Sequence, residues 1–451
     1  MIDTSHKINL NDFTIKRQTN EPIIPLRMIA PILLILFLMI PTNGRGLPPY
    51  FLITMVSIPF ILRGLYLSPK KENAFLIYYA FAYISSLFIH FYSGSFILAV
   101  SFISYFVLSP MIIKRTIKTR KNFDFIISII VVLFSIYSVL GIFEATIGVN
   151  IFDRVFGRTE SVLWAGIGYT RYGFNLSYGF LRVMHNNATL MCMIWAIAAY
   201  QLCNAKKHKT IWFLCWFIIG TYDILMMSRM VIFTAPILQI LIFKKLGMKW
   251  LSKRVMVFFA IMLLVVCFSS SDLFLSIFNT LGGLFAPIID EIFDTSMIST
   301  FDSSLGGSGH RFILWSWIFD AVKGKMLFGR GFTDVWSTTI SGKNYLGQIW
   351  YSEKTSIEVQ WLYTLYRTGI FGLSGFVVFQ VGSLRKMWKT KVACFEEKVS
   401  FQYVMKWLSV FYFVHLFGIA AAEELYFFYL LFALYMCYIR ICNMSAFSMD
   451  N

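Results

Sequence analysis

Charge is scarce in this 451-residue chain: 14% of its residues are Asp, Glu, Lys or Arg, against 58% hydrophobic. A soluble protein of that length needs more charge to stay dissolved, which excludes a soluble globular enzyme and leaves an integral membrane protein. The seven cysteines (192, 203, 215, 267, 394, 437 and 442) fall in apolar spans or on the side read below as inward. They form no CxxC or zinc spacing and offer no pair to the outward loops, so neither a zinc site nor an outer disulfide framework is readable. His185 and His310 are too isolated to make a metal site. Long alternation is absent too, which excludes an outer-membrane barrel. No repeat, heptad array or low-complexity tract stands out. The first apolar span is followed by PTNGRG rather than a small-residue cleavage site, so it reads as a retained helix.

What the chain does have is apolar runs. They recur near 24–42, 50–68, 74–91, 94–113, 123–147, 188–204, 210–227, 230–246, 255–273, 368–384, 403–422 and 425–442. Each is about the 20 residues a hydrocarbon core requires, which predicts an all-α, polytopic membrane protein with roughly twelve transmembrane helices. Residues 1–451 then form a single integral membrane domain. Residues 210–243 form one apolar run broken by Asp223 and by Ser228-Arg229. As one helix it would be about 50 Å long, too long for a single crossing. AKKHK (205–209) and KKLGMKWLSKR (244–254) are both basic, so both are expected inside, and a tight hairpin with Arg229 at its outer tip satisfies them.

Extending the same rule places both termini in the cytoplasm and 27 of the 40 Lys and Arg on the inward side. The net charge of +17 is therefore topology, and no nucleic acid is implied. Of the 13 outward cations nine are Arg (45, 154, 158, 171, 182, 229, 311, 330 and 367), whereas the inward set holds 8 Arg and 19 Lys. Lys suffices as a topological charge. Arg grips phosphate oxygens bidentately, so an Arg-biased outer face suggests a bound oxyanion.

Two outward segments exceed mere connections: 148–187 and 274–367. Both are rich in Trp, Tyr, Phe and Leu, which predicts short helices at the outer interface rather than disorder. Within the second, Ile313, Leu314, Trp317, Ile318, Ala321 and Val322 recur at helical spacing, with Arg311, Trp315, Asp320 and Lys323 elsewhere around the turn. Ser308 can cap this helix, and His310 and Arg311 fall in its first turn, where free N–H groups favour an anion. GRGF (329–332) can bring Arg330 back to the same place. The competing reading is an interfacial helix whose cations meet lipid headgroups. Further on, Glu358 shares a helical face with Leu362 and Leu365. It can accept a proton from a hydroxyl nucleophile, pair with Arg311, or be a solvated charge. Asp223, Glu144, Glu423 and Glu424 lie in or near spans, where acids face an interior and mark a pathway or an ion pair.

Four stretches together resemble the O-antigen ligase and polymerase superfamily. They are RVMHNNATL (182–190), MMSRMVIF (226–233), GHRFILWSWIFDAVKGKMLFGRGF (309–332) and TGIFG (368–372). Each motif is weak alone; their order and outward placement make the set specific. The resemblance implies a helical fold like that of the GT-C glycosyltransferases. It implies an enzyme of the bacterial inner membrane whose periplasmic site acts on glycans carried by undecaprenyl diphosphate, with no cofactor or metal. By the same resemblance Arg311, Arg182 and Arg229 bind the diphosphate. Arg330, His310 and Arg171 are further contacts, and Trp361 and Tyr363 are surfaces for sugar rings. Ligases of this superfamily carry a His-Asn pair eleven residues before the Gly of the last motif, whereas here Glu358 and Val359 stand there. That departure tilts the expectation to an inverting polymerase with Glu358 as base, alongside a chain-length regulator and a flippase. The rivals are a ligase onto lipid A-core and a transporter of the same lipid.

Overall fold

The computed structural model describes residues 28–41, 47–62, 74–157, 170–171, 174–175, 177–181, 184–226, 228–245, 309–343, 349–354, 357, 359–390, 397–418 and 426–447. The side chains of 170–171, 174, 184, 229–230, 232–233, 309–313, 340–343, 349–354 and 444–447 are not among those described. The predicted span at 255–273, most of the loop at 274–308, and Glu423 and Glu424 also lie outside.

Helices dominate. In chain order they are α1 (Ile29–Leu38), α2 (Pro49–Leu62), α3 (Ala74–Ile89), α4 (Ser95–Thr116, with a wider π-helical stretch at Ile103–Leu108), α5 (Arg120–Ile147) and the short α6 (Ile151–Phe156). Then come α7 (Met184–Asn204), α8 (Lys209–Leu225), α9 (Arg229–Lys244), α10 (Gly309–Val322), α11 (Gln360–Lys389), α12 (Phe401–His415) and α13 (Tyr426–Phe447). Among the described residues, Ser95–Thr116, Arg120–Ile147, Gln360–Lys389 and Tyr426–Asn443 are long and apolar enough to cross a membrane, and several shorter helices are equally apolar. Their outer faces show large apolar side chains, among them Phe81, Phe96, Ile136 and Leu214, each more than half exposed. Such a belt is stable only against lipid.

Nearly every residue of α7 from Ala188 to Tyr200 is buried, as expected of a helix apolar all round at the centre of a bundle. Around it pack α5, α8, α9 and α12. A second group joins α3 to α11, where small residues let the backbones approach: a Cβ at Gly375 would run into Ala82, and one at Gly382 into the Phe75 ring. Aromatic stacking joins α3 to α11, α3 to α4 and α12 to α13. Tyr79 stacks on Phe379 at 5.2 Å, Tyr83 on Phe102 at 4.2 Å, and Tyr412 on Phe428 at 4.0 Å.

The expected hairpin at 210–243 is seen as α8 and α9, separated by residues 226–228. The two long outward segments depart from expectation. The first contains α6 and an antiparallel pair, β1 (Thr170–Arg171) and β2 (Phe174–Asn175). The second contains α10 and an antiparallel hairpin, β3 (Thr338–Lys343) on β4 (Ile349–Lys354), in register from Thr338↔Lys354 to Lys343↔Ile349. The sequence predicts short helices there, and each segment holds one; the strand pairs are what it does not predict. The β-branched and aromatic residues of TTISGK and IWYSEK favour a pleated surface instead.

A clasp closes the bundle end predicted to be cytoplasmic. Glu397, its side chain 3% exposed, ion-pairs with Arg120 and accepts hydrogen bonds from the Tyr200 hydroxyl (2.7 Å) and the Tyr438 hydroxyl (2.6 Å). Arg120 also pairs with Asp124 at 2.8 Å. One carboxylate thus joins α5, α7 and α13, and each charged group within the clasp has a partner of opposite sign.

Candidate functional site

Three helices start close together at the opposite end. The His185 ring, in the first turn of α7, lies 3.3 Å from the Ser228 hydroxyl, which immediately precedes α9. His415, the last residue of α12, contacts the Thr189 hydroxyl of α7 at 3.2 Å and the Thr234 hydroxyl of α9 at 2.8 Å. The next residue, Leu416, accepts the Gln360 backbone N–H that opens α11, at 3.0 Å. Each helix start leaves several backbone N–H groups without intrahelical partners and carries the positive end of the helix dipole, so the cluster favours an anion.

Each start is flanked in sequence by a predicted site residue. Arg182 lies two residues before α7, Arg229 is the first residue of α9, and Glu358 lies two before α11. Arg182 and Glu358 themselves lie outside the described residues, as do the side chains of Arg229, Arg311, His310 and Arg171. The backbone places Arg229 at the tip between α8 and α9, His310 and Arg311 in the first turn of α10, and Arg171 in β1 opposite Phe174. Ser308, expected to cap α10, also lies outside.

The motif GRG meets the motif TGIFG through the backbone. Within α11, Gly369 breaks the helix with φ 66° and ψ −167°. An unbroken helix would pair the Ile370 N–H with the Tyr366 carbonyl and the Phe371 N–H with the Arg367 carbonyl. Here the loop after α10 takes over all four groups. Ile370 donates to the Met326 carbonyl (2.8 Å) and Phe371 to the Leu327 carbonyl (3.1 Å). The Tyr366 carbonyl accepts from the Arg330 N–H (2.8 Å) and the Arg367 carbonyl from the Gly331 N–H (3.0 Å). Left bare in a buried setting, each group would cost roughly 1–3 kcal/mol. The exchange requires the two backbones to touch. A Cβ on Gly329 would strike the Gly369 N–H and the Tyr366 carbonyl, and one on Gly369 would strike the Leu327 carbonyl. Both glycines also have positive φ, which L side chains rarely adopt.

The interlock fixes two arginines. Arg330 donates its Nε–H to the Ala321 carbonyl at the end of α10 (2.5 Å) and faces the Asp334 carboxylate at 3.4 Å. It is thus engaged within the protein and lies at the C-terminal end of α10, whereas His310 and Arg311 stand in that helix's first turn. Arg367 donates to the Phe332 carbonyl, and its guanidinium lies 5.1 Å above the Tyr363 ring and 5.8 Å above the Phe332 ring. Tyr363 therefore carries a cation over its ring, and with Arg367 lines an enclosed cavity of about 20 Å³, room for little more than a water. The sugar-stacking role expected of Trp361 is corrected. Its ring is 7% exposed and packed against Phe376 (5.0 Å), Phe413 (5.2 Å) and Phe417 (5.5 Å), which makes it core.

On the other side of the interlock, α10, residues 330–338 and Tyr366 enclose an open cleft of about 390 Å³. Trp317, Asp320, Arg330, Asp334, Trp336 and Tyr366 line it. The helical pattern in the sequence reached Trp317 and Asp320 only as points on a helix, with Leu314, Ile318 and Val322 correctly expected on the buried face. Asp334, Trp336 and Tyr366 were missed. Nothing in DVW (334–336) announces that the loop folds back on α10.

The acids of the spans differ from one another. Glu144 accepts from Asn150 Nδ2 (2.8 Å), the Ser177 hydroxyl (2.8 Å) and the backbone N–H groups of Tyr178 and Gly179 (both 3.2 Å). Ser177 continues to the Tyr222 hydroxyl (2.6 Å), to which Asn187 donates (2.8 Å) while accepting from Tyr137 (2.7 Å). Asn187, part of the RVMHNNATL motif, is therefore spent on holding the first outward segment to the bundle. Asp223 is fully buried, and neither of its carboxylate oxygens has a hydrogen-bond partner.

No curated protein and no solved structure matches the chain. A family model described as O-Antigen ligase matches residues 213–377, a stretch running from α8 through the hairpin tip, α10 and the interlock into α11. That match makes the stretch from α8 into α11 similar to the O-antigen ligase family.

Proposed function

We propose that the protein is a polysaccharide polymerase of the bacterial inner membrane. It transfers a growing glycan from undecaprenyl diphosphate to a hydroxyl of a second lipid-linked repeat unit. The reading rests most on the gathering of three helix starts around His415 and Leu416, each flanked in sequence by Arg182, Arg229 or Glu358. A pyrophosphate is the ligand that helix starts flanked by guanidinium groups suit best.

The chemistry follows as one displacement. The acceptor oxygen attacks the anomeric carbon while Glu358 takes its proton, and the bond from that carbon to the diphosphate oxygen breaks. The departing undecaprenyl diphosphate keeps the electron pair, and the anomeric configuration inverts. Helix starts and arginines neutralise the charge growing on the leaving group, which is the part a metal plays in other transferases. In this reading the site is periplasmic and both termini are cytoplasmic. The flippase delivers substrate, and a chain-length regulator acts on the product.

A ligase is the second reading, favoured by the description of the matching family itself. Against it stand Glu358 and Val359, where the ligase pattern has His-Asn. A transporter often uses a broken helix to bind its cargo. The break in α11 is instead filled by residues 326–331, which speaks for a fixed scaffold. Deleting the gene distinguishes the three. Single repeat units on the surface support the polymerase. Full-length polymer retained on undecaprenyl diphosphate supports the ligase, and single units stranded inside support the transporter.

A further inference from the structure

The open cleft is distinct from the cluster of helix starts, and its chemistry points elsewhere. Two carboxylates, Asp320 and Asp334, face one guanidinium, that of Arg330, which is already engaged with Asp334 and the Ala321 carbonyl. The lining is therefore more negative than positive and repels a diphosphate. Among the described residues the Asp320 carboxylate makes no ion pair or side-chain hydrogen bond, and it is exposed at the cleft, ready to accept from a ligand. Trp317, half-buried, adds an indole, an amphipathic surface suited to the C–H face of a sugar, while the buried Trp336 closes the wall behind it. Hydroxyl-to-carboxylate hydrogen bonds are charge-assisted and stronger than neutral ones. A volume of about 390 Å³ lies within the ~300–1,000 Å³ range of small-molecule sites. The backbone exchange at Gly369 fixes Arg330 and Tyr366 on the cleft wall, so little ordering remains for a ligand to impose.

We infer that this cleft is a glycan subsite: it holds a neutral or amino-bearing sugar of the repeat unit through Asp320, Asp334 and the Trp317 indole, and it does not hold the diphosphate. The inference deepens the polymerase reading and rests on it for the source of the glycan.

The test uses the full chain in lipid nanodiscs and two probes in calorimetric titration. One probe is the repeat-unit oligosaccharide released by mild acid from the host's own lipid-linked pool; the other is inorganic pyrophosphate. Asp320→Asn, at an exposed position, and Trp317→Ala are each expected to weaken oligosaccharide binding about tenfold, the loss of one good contact. Pyrophosphate binding should stay at the wild-type value in both. Three results overturn the inference: no oligosaccharide binding by the wild type, wild-type oligosaccharide affinity in both variants, or pyrophosphate affinity falling in parallel. Failure here leaves the polymerase reading to the gene deletion. A deletion strain with normal chain lengths sinks the polymerase while a sugar-specific cleft would still stand.

Discussion

The two ends of the helix bundle hold their charges differently. At the end predicted to be cytoplasmic, Glu397 is surrounded by Arg120, Tyr200 and Tyr438, and each polar group there answers another in the same protein. At the other end the polar groups are helix starts, threonines and histidines that draw α7, α9, α11 and α12 together, with Arg182, Arg229 and Glu358 flanking them in sequence. A saturated cluster stabilises a fold and has nothing left for a ligand. A cluster of dipole ends with cations beside it is complete only when an anion arrives.

Substitutions can break or sharpen this contrast. The largest effect is expected from Glu358→Gln: loss of a general base costs roughly 10²–10⁴ in rate, so polymer should vanish from the surface while single repeats persist. Normal chain lengths in that mutant would remove Glu358 from the mechanism. At the saturated end, Glu397→Ala should act through stability instead. Stripping a buried ion pair of one partner costs roughly 3–5 kcal/mol, nearer the low end here because Arg120 is one-third exposed. The check is a lowered melting temperature in detergent. A stable Glu397→Ala protein with altered chain lengths would erase the distinction between the ends.

Gly369→Ala should fall between these. The strained backbone alone costs roughly 1–3 kcal/mol, and the clash with the Leu327 carbonyl adds to it. Both melting temperature and polymer length should drop, and Gly329→Ala should reproduce the effect. The smallest change is expected from Asp223→Asn. Its carboxyl has no hydrogen bond to lose, so the cost should not exceed the ordinary value for a point substitution, about 1 kcal/mol. Glu144→Gln, which replaces one of two oxygens and so forfeits the acceptor for two of four donors, should cost more by the same melting assay.

Hydropathy carried much of the fold. The runs read at 74–91, 123–147 and 230–246 correspond to Ala74–Ile89, Arg120–Ile147 and Arg229–Lys244, because burying apolar length in lipid is a local property of sequence. The hairpin tip at Ser228-Arg229 was legible for the same reason, with basic loops on either side of it. The tenth span was read from 368, whereas α11 begins at Gln360 and passes through the break. What makes that possible is a strip of backbone some forty residues earlier, and no windowed property of TGIFG records a distant partner. The candidate site divides the same way. Motif order pointed to the hairpin tip and to the start of α10. The clustering of helix starts through His415, the engagement of Arg330 and the cleft between Trp317 and Trp336 arise only from chain reversals.

The backbone exchange at Gly369 has a consequence for how this chain can vary in length. Residues 326–331 are measured against α11 rung by rung, since Met326 and Leu327 meet one side of the gap and Arg330 and Gly331 the other. One residue added or removed there would put every partner out of step. The excursion from 332 to 359 leaves and returns to anchored points, so its β-hairpin can lengthen or shorten without disturbing the join. Diversity in what is recognised can therefore accumulate in that excursion, while the ruler beside it stays fixed.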